Sequence, residues 1–285
     1  MMKLAVIGKP IRHSLSPIIH TEFAKEFGLN ISYEAIEVDP DSFEATVRKM
    51  FKDEGYSGLN VTLPLKQLAF KYADACDIQC QLTESANTLK SGEADGGSTM
   101  LPSEYVAFTT DGEGFTDDIR KKGFGYLLSE NIVIIGAGGS AMSIIPSILE
   151  DNPFRLVVVN RTFENAKKLK NKFSEIECFS PKDTLDFEAD IIINCSSAGM
   201  LNEPLVLPEG LFKGSPVSYD LSYSKEITPF NKLAKDSGVE ISFDGLGMLV
   251  HQAAISFKIW TGKQPSTNRV LNLLKRAGYK KGNWV

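Results

Sequence analysis

One segment constrains the fold more than any other, residues 131–141, which read Asn-Ile-Val-Ile-Ile-Gly-Ala-Gly-Gly-Ser-Ala. A continuous apolar run leads into a cluster of glycines, and a helical pattern over 141–149 follows. A strand that is apolar on both faces and feeds a helix is typical of a parallel, doubly covered sheet. Glycines in such a turn let the backbone approach a pyrophosphate, which the helix N-terminus attracts. The pattern predicts a dinucleotide site on Gly136, Ala137, Gly138, Gly139 and Ser140.

The glycine pattern alone is weak evidence, since Ala141 stands where the fingerprint has its last glycine. The next predicted strand, 155–162, adds to it because it ends in Asn160-Arg161-Thr162 and brings no carboxylate to the ribose. The Arg161 guanidinium can pair with a 2′-phosphate. A solvent-exposed arginine is the simpler alternative, but it leaves Asn160 and Thr162 unexplained. We therefore expect NADP rather than NAD, bound by these three residues.

The remaining chain continues the α/β alternation. Strand patterns at 4–7, 33–38 and 59–63 are separated by helical patterns at 17–27 and 42–54, and a second alternating block starts at Asn131. After Asp244 the pattern changes to one amphipathic helix over 247–260. At 285 residues the chain is long enough for two α/β domains.

Composition excludes several classes of partner. The 31 basic and 36 acidic residues give a net charge of −5, which argues against nucleic acid as the main partner. No apolar run reaches the roughly 18 residues that a membrane span needs, and the N-terminus leads directly into a strand pattern. The four cysteines lie apart, without metal-ligand spacing. We expect a cytoplasmic protein with reduced thiols, a small-molecule substrate and no metal.

The stretch 59–66 contains an unusual strand end. Asn60 and Thr62 lie on one phase of a largely apolar strand, Pro64 breaks it, and Lys66 follows where a helix can begin. This arrangement is typical of a site at a strand end. Ser14 and Ser16, just before Pro17, have two interpretations: a helix cap, which is favoured when they are taken alone, or two hydroxyls that bind a carboxylate.

Nine motifs that follow one another along the chain favour the functional interpretation. They are GKPIRHSLSPIIH, GLNVTLPLK, ANT, TDGEGF, GAGGSA, NRT, NCSSAGM, Y…KEITP and DGLGMLVHQAAISFKIWTG. Together, from Val6 to Gly262, they resemble the shikimate dehydrogenase family. The resemblance implies two α/β domains flanking a cleft, the second Rossmann-like. It assigns 1–111 to a substrate-binding catalytic domain, 112–244 to an NADP domain and 245–285 to C-terminal helices that return to the substrate domain.

The resemblance also implies an activity, the reversible NADPH-dependent reduction of 3-dehydroshikimate to shikimate in chorismate and aromatic amino-acid biosynthesis. Ser14 and Ser16 would bind the substrate carboxylate, and Lys66 and Asp111 would flank the reacting oxygen as the catalytic pair. Further substrate contacts would come from Thr62, Asn87, Tyr223 and Gln252. The nicotinamide would lie near Ser196 and the backbone of Leu221 and Gly245.

The role of Lys66 follows from the chemistry of hydride addition, which builds negative charge on the ketone oxygen. Lys66 can donate a proton or act as an electrostatic clamp, and both interpretations stay open. The plain alternatives are an ordinary lysine at a helix start and, for Asp111, a turn residue. No histidine has the neighbours that a triad or a metal site needs, so none is assigned a catalytic role.

The chain departs from the family pattern in places. Thr109-Thr110-Asp111 stands where Asn-Thr/Ser-Asp is usual, Ser196 stands where Thr is frequent, and the loop Gly92–Pro102 is longer than the norm. One alternative function is a quinate/shikimate dehydrogenase that accepts NAD or NADP. Another is a non-catalytic ligand-sensing module on the same fold. Both a monomer and a homodimer are compatible with the sequence.

Overall fold

The computed structural model describes residues 1–92, 105–128, 130–196, 198 and 205–279. The chain forms two compact units, one of Met1–Gly114 with Val250–Val270 and the other of Phe115–Leu249 with Leu271–Val285. The sequence places its functional boundaries at 111/112 and 244/245, and these assignments stay predictions. Beyond Gly92, the predicted long loop up to Pro102 lies outside the described residues.

Strands and helices alternate along most of the chain, as the sequence predicts. The strands are β1 (Met2–Gly8), β2 (Ile31–Glu37), β3 (Tyr56–Val61), β4 (Ala75–Cys76), β5 (Thr88–Ser91), β6 (Tyr105–Phe108), β7 (Asn131–Ile135), β8 (Arg155–Val159), β9 (Glu177–Phe179), β10 (Ile191–Asn194), β11 (Val217–Asp220) and β12 (Ser242–Asp244). The helices are α1 (Ser16–Glu26), α2 (Phe43–Lys52), α3 (Lys66–Tyr72), α4 (Ile78–Thr83), α5 (Asp111–Ile119), α6 (Gly139–Glu150), α7 (Phe163–Lys172), α8 (Pro229–Asp236), α9 (Leu246–Thr261) and α10 (Thr267–Arg276).

The first unit is built on a mixed sheet with the strand order β2-β1-β3-β5-β6-β4. β1 is parallel to β2 and β3, whereas β5 runs antiparallel to both β3 and β6. The apolar residues of the central strands are buried, with Leu4, Ile7 and Leu59 fully shielded from solvent. Because β5 runs antiparallel to both of its neighbours, its first residue, Thr88, lies between the end of β3 and the end of β6.

The second unit is built on a parallel sheet with the strand order β12-β11-β10-β7-β8-β9. Numbered within the unit and read from β9, this is the order 3-2-1-4-5-6 of a Rossmann fold. Its central strands are apolar on both faces and buried, with Ile134, Val158 and Ile193 at 0 % exposure. The prediction of a Rossmann-like second domain is confirmed.

The helices follow from the spacing of apolar residues. In α2, Phe43, Val47, Met50 and Phe51 recur at helical spacing and are buried, while Glu44 and Arg48 pair on the exposed face. The helix predicted over 247–260 is found as α9 and is buried along most of its length. Within the described part of the chain, no helix combines the length and the apolar character needed to cross a membrane.

Candidate active site

An ion pair lies at the centre of the candidate catalytic site of the first unit. Lys66 is the first residue of α3, just past the end of β3, and Asp111 is the first residue of α5, just past β6. Lys66 Nζ donates to Asp111 Oδ2 at 2.6 Å, with the lysine side chain 25 % exposed and the aspartate 8 % exposed. One end of the pair therefore reaches solvent while the other is fixed in the protein.

Asn87 and Gln252, both predicted substrate contacts, lie in the same hydrogen-bond network as Asp111. Asn87 Nδ2 donates to Asp111 Oδ1 (2.9 Å), to Thr110 Oγ1 (2.9 Å) and to Gln252 Oε1 (3.2 Å). Asn87 Oδ1 accepts the backbone N–H of Thr110 at 2.9 Å. The amide thus holds the carboxylate of Asp111 from the buried side and leaves Oδ2 for Lys66.

A buried polar network below Asn87 is a part of the site that sequence reasoning missed. Asn60 Nδ2 donates to Asn87 O (3.1 Å), Thr88 Oγ1 (3.2 Å) and Ser256 Oγ (3.1 Å), while its Oδ1 accepts from Tyr33 Oη at 2.6 Å. These groups are all within 9 % exposure, so the hydrogen bonds replace those that water would make. The polar phase of the strand at Asn60 and Thr62 is the one signal in the sequence for this network.

The predicted carboxylate-binding serines lie at the start of α1. The Ser16 backbone N–H donates to Ser14 Oγ at 3.2 Å, so the hydroxyl that accepts at this helix start is that of Ser14 rather than Ser16. Ser16 is buried at 6 % exposure, and α1 begins with it. Thr62, half-buried, donates its backbone N–H to Ile7 O at 2.9 Å, and its methyl group packs on Gly8.

The predicted dinucleotide turn of the second unit lies where the strand order reverses, between β7 and β10. Gly136 has φ +105, and a Cβ there would be 3.1 Å from the Ser196 backbone nitrogen. The turn and the end of β10 therefore approach each other as only glycine permits. Ser196 is held by Asn194, whose Oδ1 accepts from Ser196 Oγ at 2.7 Å. Ligands of α/β sheets bind at this type of switch point.

The three residues after β8 surround the same turn. Asn160 Oδ1 accepts from the Ala137 backbone N–H at 3.1 Å, and Asn160 Nδ2 donates to Thr162 O at 2.7 Å. Arg161 is exposed, and Gly138 and Gly139 have open space where a Cβ would be. α6 begins there, so its first N–H groups face that space. An exposed arginine that follows Asn160, which is bonded to the turn, and an open helix N-terminus suit a phosphorylated dinucleotide.

Leu221 and Gly245, two of the predicted nicotinamide contacts, lie against each other. A Cβ on Gly245 would be 2.0 Å from Leu221 O, and the Gly245 N–H donates to Ser222 O at 3.0 Å. Tyr223, two residues further on, lies in this unit and packs on Tyr279, with their ring centroids 6.5 Å apart. The substrate role of Tyr223 stays a prediction.

His20 and Asp244 are two of the groups whose pKa values burial shifts. Burial lowers the pKa of His20 to about 3, against a smaller opposing effect of Asn60, and the imidazole stacks on Tyr33 with ring centroids 4.4 Å apart. Burial likewise raises the pKa of Asp244 to about 6. Among the described residues, no cluster of three His, Cys, Asp or Glu side chains is placed to hold a metal ion.

Comparison with known families matches most of the chain in three parts. Residues 6–89 match the shikimate dehydrogenase substrate-binding domain, residues 118–213 match shikimate/quinate 5-dehydrogenase, and residues 245–275 match the shikimate 5′-dehydrogenase C-terminal domain. The matched segments include β3, the dinucleotide turn and the start of α9.

Individual relatives agree with this over nearly their full length. The shikimate dehydrogenase (NADP(+)) of Legionella pneumophila (strain Lens) is 41% identical over 276 residues, which cover 96% of this chain and 99% of the relative. An Ael1 enzyme from Pseudomonas putida has a structure with TM-score 0.86 and 34% identity, covering 96% of this chain and 98% of that one.

The shikimate 5-dehydrogenase of Thermus thermophilus, solved with NADP(H) and shikimate, aligns with TM-score 0.83 at 28% identity and covers 97% of this chain and 100% of that one. These similarities confirm the resemblance found in the motifs. The chain belongs to the shikimate dehydrogenase family.

Proposed function

We propose that the chain catalyses the reversible, NADP-dependent reduction of 3-dehydroshikimate to shikimate, a step of chorismate biosynthesis. The observation that carries this proposal is the pair of Lys66 and Asp111, joined at 2.6 Å and fixed from below by Asn87. A binding module needs no partly exposed ammonium held at such a distance from a buried carboxylate. A dehydrogenase needs this arrangement at the oxygen that changes charge.

Two groups of residues in the first unit would hold the substrate. Ser14 and Ser16 offer hydroxyl donors to the carboxylate. Thr62, Asn87 and Gln252 contact ring hydroxyls, with the two amides already oriented by Thr110. Because the amides of Asn87 and Gln252 are fixed before substrate binds, they need little ordering on binding, which favours a near-attack geometry. Tyr223 would add a further substrate contact.

Lys66 and Asp111 manage the charge at the reacting oxygen. As a hydride reaches the ketone carbon, the oxygen gains negative charge, which the Lys66 ammonium stabilises. The proton that completes the alcohol comes from the Lys66 ammonium, which takes it back in the reverse direction, or from solvent if Lys66 acts only as an electrostatic clamp. Asp111 orients the Lys66 ammonium and accepts a hydrogen bond from the substrate hydroxyl. Lys66→Arg separates the two roles of the lysine, because arginine keeps the positive charge but gives up no proton near neutral pH.

The second unit holds NADP. When bound, this cofactor supplies or accepts the hydride. The turn Gly136–Ser140 and the first N–H groups of α6 would hold the pyrophosphate. Asn160, Arg161 and Thr162 would hold the 2′-phosphate end. Ser196, Leu221 and Gly245 would hold the nicotinamide end. The open space at Gly138 and Gly139 and the absence of a carboxylate at 160–162 fit this cofactor.

Initial rates with shikimate or quinate, crossed with NADP⁺ or NAD⁺, test the activity. We expect strong preference for shikimate with NADP⁺. Similar rates with quinate or NAD⁺ would place the chain with the broader quinate/shikimate enzymes, and no turnover with any pair would sink the enzyme assignment. Lys66→Met should reduce kcat by about a hundredfold or more with shikimate binding largely kept. Lys71→Met, an exposed lysine on the same helix, is the matched control.

Arg161→Gln tests the choice of cofactor. Loss of a guanidinium–phosphate pair should raise KM for NADP⁺ by about tenfold or more and leave KM for NAD⁺ unchanged, since NAD⁺ has no 2′-phosphate. Lys168→Gln removes one positive charge from an exposed position of α7 and controls for net charge. An equal change with both cofactors would show that Arg161 does not read the phosphate.

The cytoplasmic location and the monomer or homodimer state stay predictions of the sequence, as does the lack of a nucleic-acid partner. Light scattering after size exclusion measures the mass and decides between the two oligomeric states.

A further inference from the structure

We infer that Asp118 is a positioning residue for the nicotinamide end of the cofactor site. Asp118 lies in α5, is 3 % exposed and is not among the residues assigned above to substrate or cofactor. It connects the two segments of the second unit that carry those assignments, the end of β11 and the turn 244–247. The inference rests on the proposed binding of NADP.

The first connection runs to β11. Tyr219 is fully buried, and its hydroxyl donates to Asp118 Oδ2 at 2.6 Å. Burial and the neighbouring Asp118 raise the pKa of Tyr219, so the tyrosine is the proton donor in this bond. Leu221 follows two residues later on the same strand end, which means that a shift of Tyr219 is transmitted along the backbone to Leu221.

The second connection runs to the turn 244–247. A Cβ on Gly247 would lie 2.0 Å from Asp118 Oδ1, so the carboxylate occupies the place where any larger residue would project. The turn is further fixed by Asp244 Oδ1, which accepts the Leu246 N–H at 3.1 Å. The carboxylate of Asp118 therefore lies beside the first turn of α9, where the helix dipole favours negative charge.

A counter-ion accompanies the buried carboxylate of Asp118. Lys122, one turn later on the same chain segment, pairs with Asp118 Oδ2, and the two side chains are 9 % and 4 % exposed. The Lys122 ammonium also lies over the rings of Tyr219 (5.1 Å) and Phe243 (5.0 Å). A buried carboxylate without such a partner would be neutralised or expelled. The ion pair is thus built to hold a charge between β11 and α9, away from solvent.

Ligand binding separates this role from a general structural one. NADPH reports on the whole cofactor site, whereas 2′,5′-ADP probes only the adenosine half, around Arg161. In Tyr219→Phe, which deletes one hydroxyl, we expect the Kd of NADPH and kcat each to worsen about three- to tenfold, with the Kd of 2′,5′-ADP within about twofold of wild type. Asp118→Asn should act in the same direction and more strongly. Tyr105→Phe is the matched control, since it removes a buried hydroxyl bond, to Tyr72 O at 2.7 Å, in the first unit.

Each outcome decides the matter. Parallel weakening of NADPH and 2′,5′-ADP would mean that Asp118 only stabilises the unit, and unchanged NADPH binding and kcat in both variants would also overturn the inference. Asp118→Asn leaves Lys122 buried beside a neutral amide, so the fold of this variant is checked by circular dichroism. If Asp118→Asn is unfolded, the result for Tyr219→Phe alone decides. If wild-type protein binds no NADPH, the proposed function fails with it. If wild type binds and turns over but the variants match it, only this inference fails.

Discussion

Replacing His20 by phenylalanine should remove part of the acid sensitivity of the protein. His20 is fully buried among aromatic rings, stacked on Tyr33 and 5.3 Å from the Trp260 ring. Burial lowers its pKa from 6.5 to about 3, so the folded protein keeps the ring neutral at pH values where the unfolded chain protonates it. The unfolded state binds more protons, and the free energy of unfolding therefore falls as the pH falls below 6.5.

The size of the effect follows from the two pKa values. Between pH 8 and pH 5, protonation of His20 in the unfolded chain lowers the free energy of unfolding by about 2 kcal/mol. The full decrease expected from the two pKa values, about 5 kcal/mol, is reached only below pH 3. Urea unfolding of wild type and His20→Phe at pH 8 and pH 5, followed by circular dichroism, measures it. The change in unfolding free energy between the two pH values should be about 2 kcal/mol smaller in the variant.

The pH difference cancels any effect of the larger ring on packing, because that effect is present at both pH values. His13→Asn is the matched control, since His13 is exposed and its replacement should leave the wild-type difference in place. If His20→Phe loses as much stability from pH 8 to pH 5 as wild type does, the neutral, buried imidazole is not a source of acid sensitivity and the reasoning fails.

Three further changes test other parts of the structure. Asp244→Asn should raise the unfolding free energy by about 2–3 kcal/mol above pH 7 and by almost nothing at pH 4. The reason is that burial raises the pKa of Asp244 from 3.8 to about 6, so that only the ionised form opposes folding. Equal gains in unfolding free energy at both pH values in urea titrations would contradict this. Gly136→Ala should weaken the binding of NADPH by at least about tenfold, because φ is +105 and the Ser196 nitrogen is close. Gly28→Ala, also at positive φ but with open space around it, should lower stability alone. An unchanged Kd for Gly136→Ala in NADPH fluorescence titrations would refute this. Tyr279→Ala should raise KM for shikimate about two- to tenfold without changing KM for NADP⁺, because Tyr223 loses its ring partner; an equal rise for both substrates in initial-rate assays would indicate a general effect.

The second unit could be predicted closely from the sequence because its strands are buried on both faces. Such strands need continuous apolar residues, and Gly136, which directly follows β7, has the positive φ that favours glycine. Residues 131–141 therefore indicate the fold and the cofactor site together. The helix ends differ from the predicted ones by a residue or two, because caps and tertiary contacts decide where a helix ends and the local sequence pattern does not show which of them prevails.

The pairing partners inside the sites could not be predicted in the same way. Lys66 and Asp111 are 45 positions apart, and Asn60 and Ser256 are 196 apart, so their contacts depend on strand order rather than on local pattern. Asp118 illustrates the difficulty, since an aspartate between other charged residues of a helix looks solvent-exposed. Its burial depends on Tyr219, 101 positions away.

The pairing of β5 and β6 has a consequence for how this chain tolerates change. Ser91 and Tyr105 are register partners, so the positions at which the chain leaves the sheet after β5 and re-enters it at β6 are neighbours. Asn87 is fixed independently, since its N–H donates to Phe108 O at 3.1 Å. Doubling the length of a flexible connection adds only about 0.6 kcal/mol of closure entropy. This connection can therefore lengthen in evolution without displacing Asp111, the proposed catalytic carboxylate, and a peptide tag or reporter inserted between Ser91 and Tyr105 should leave the proposed activity intact.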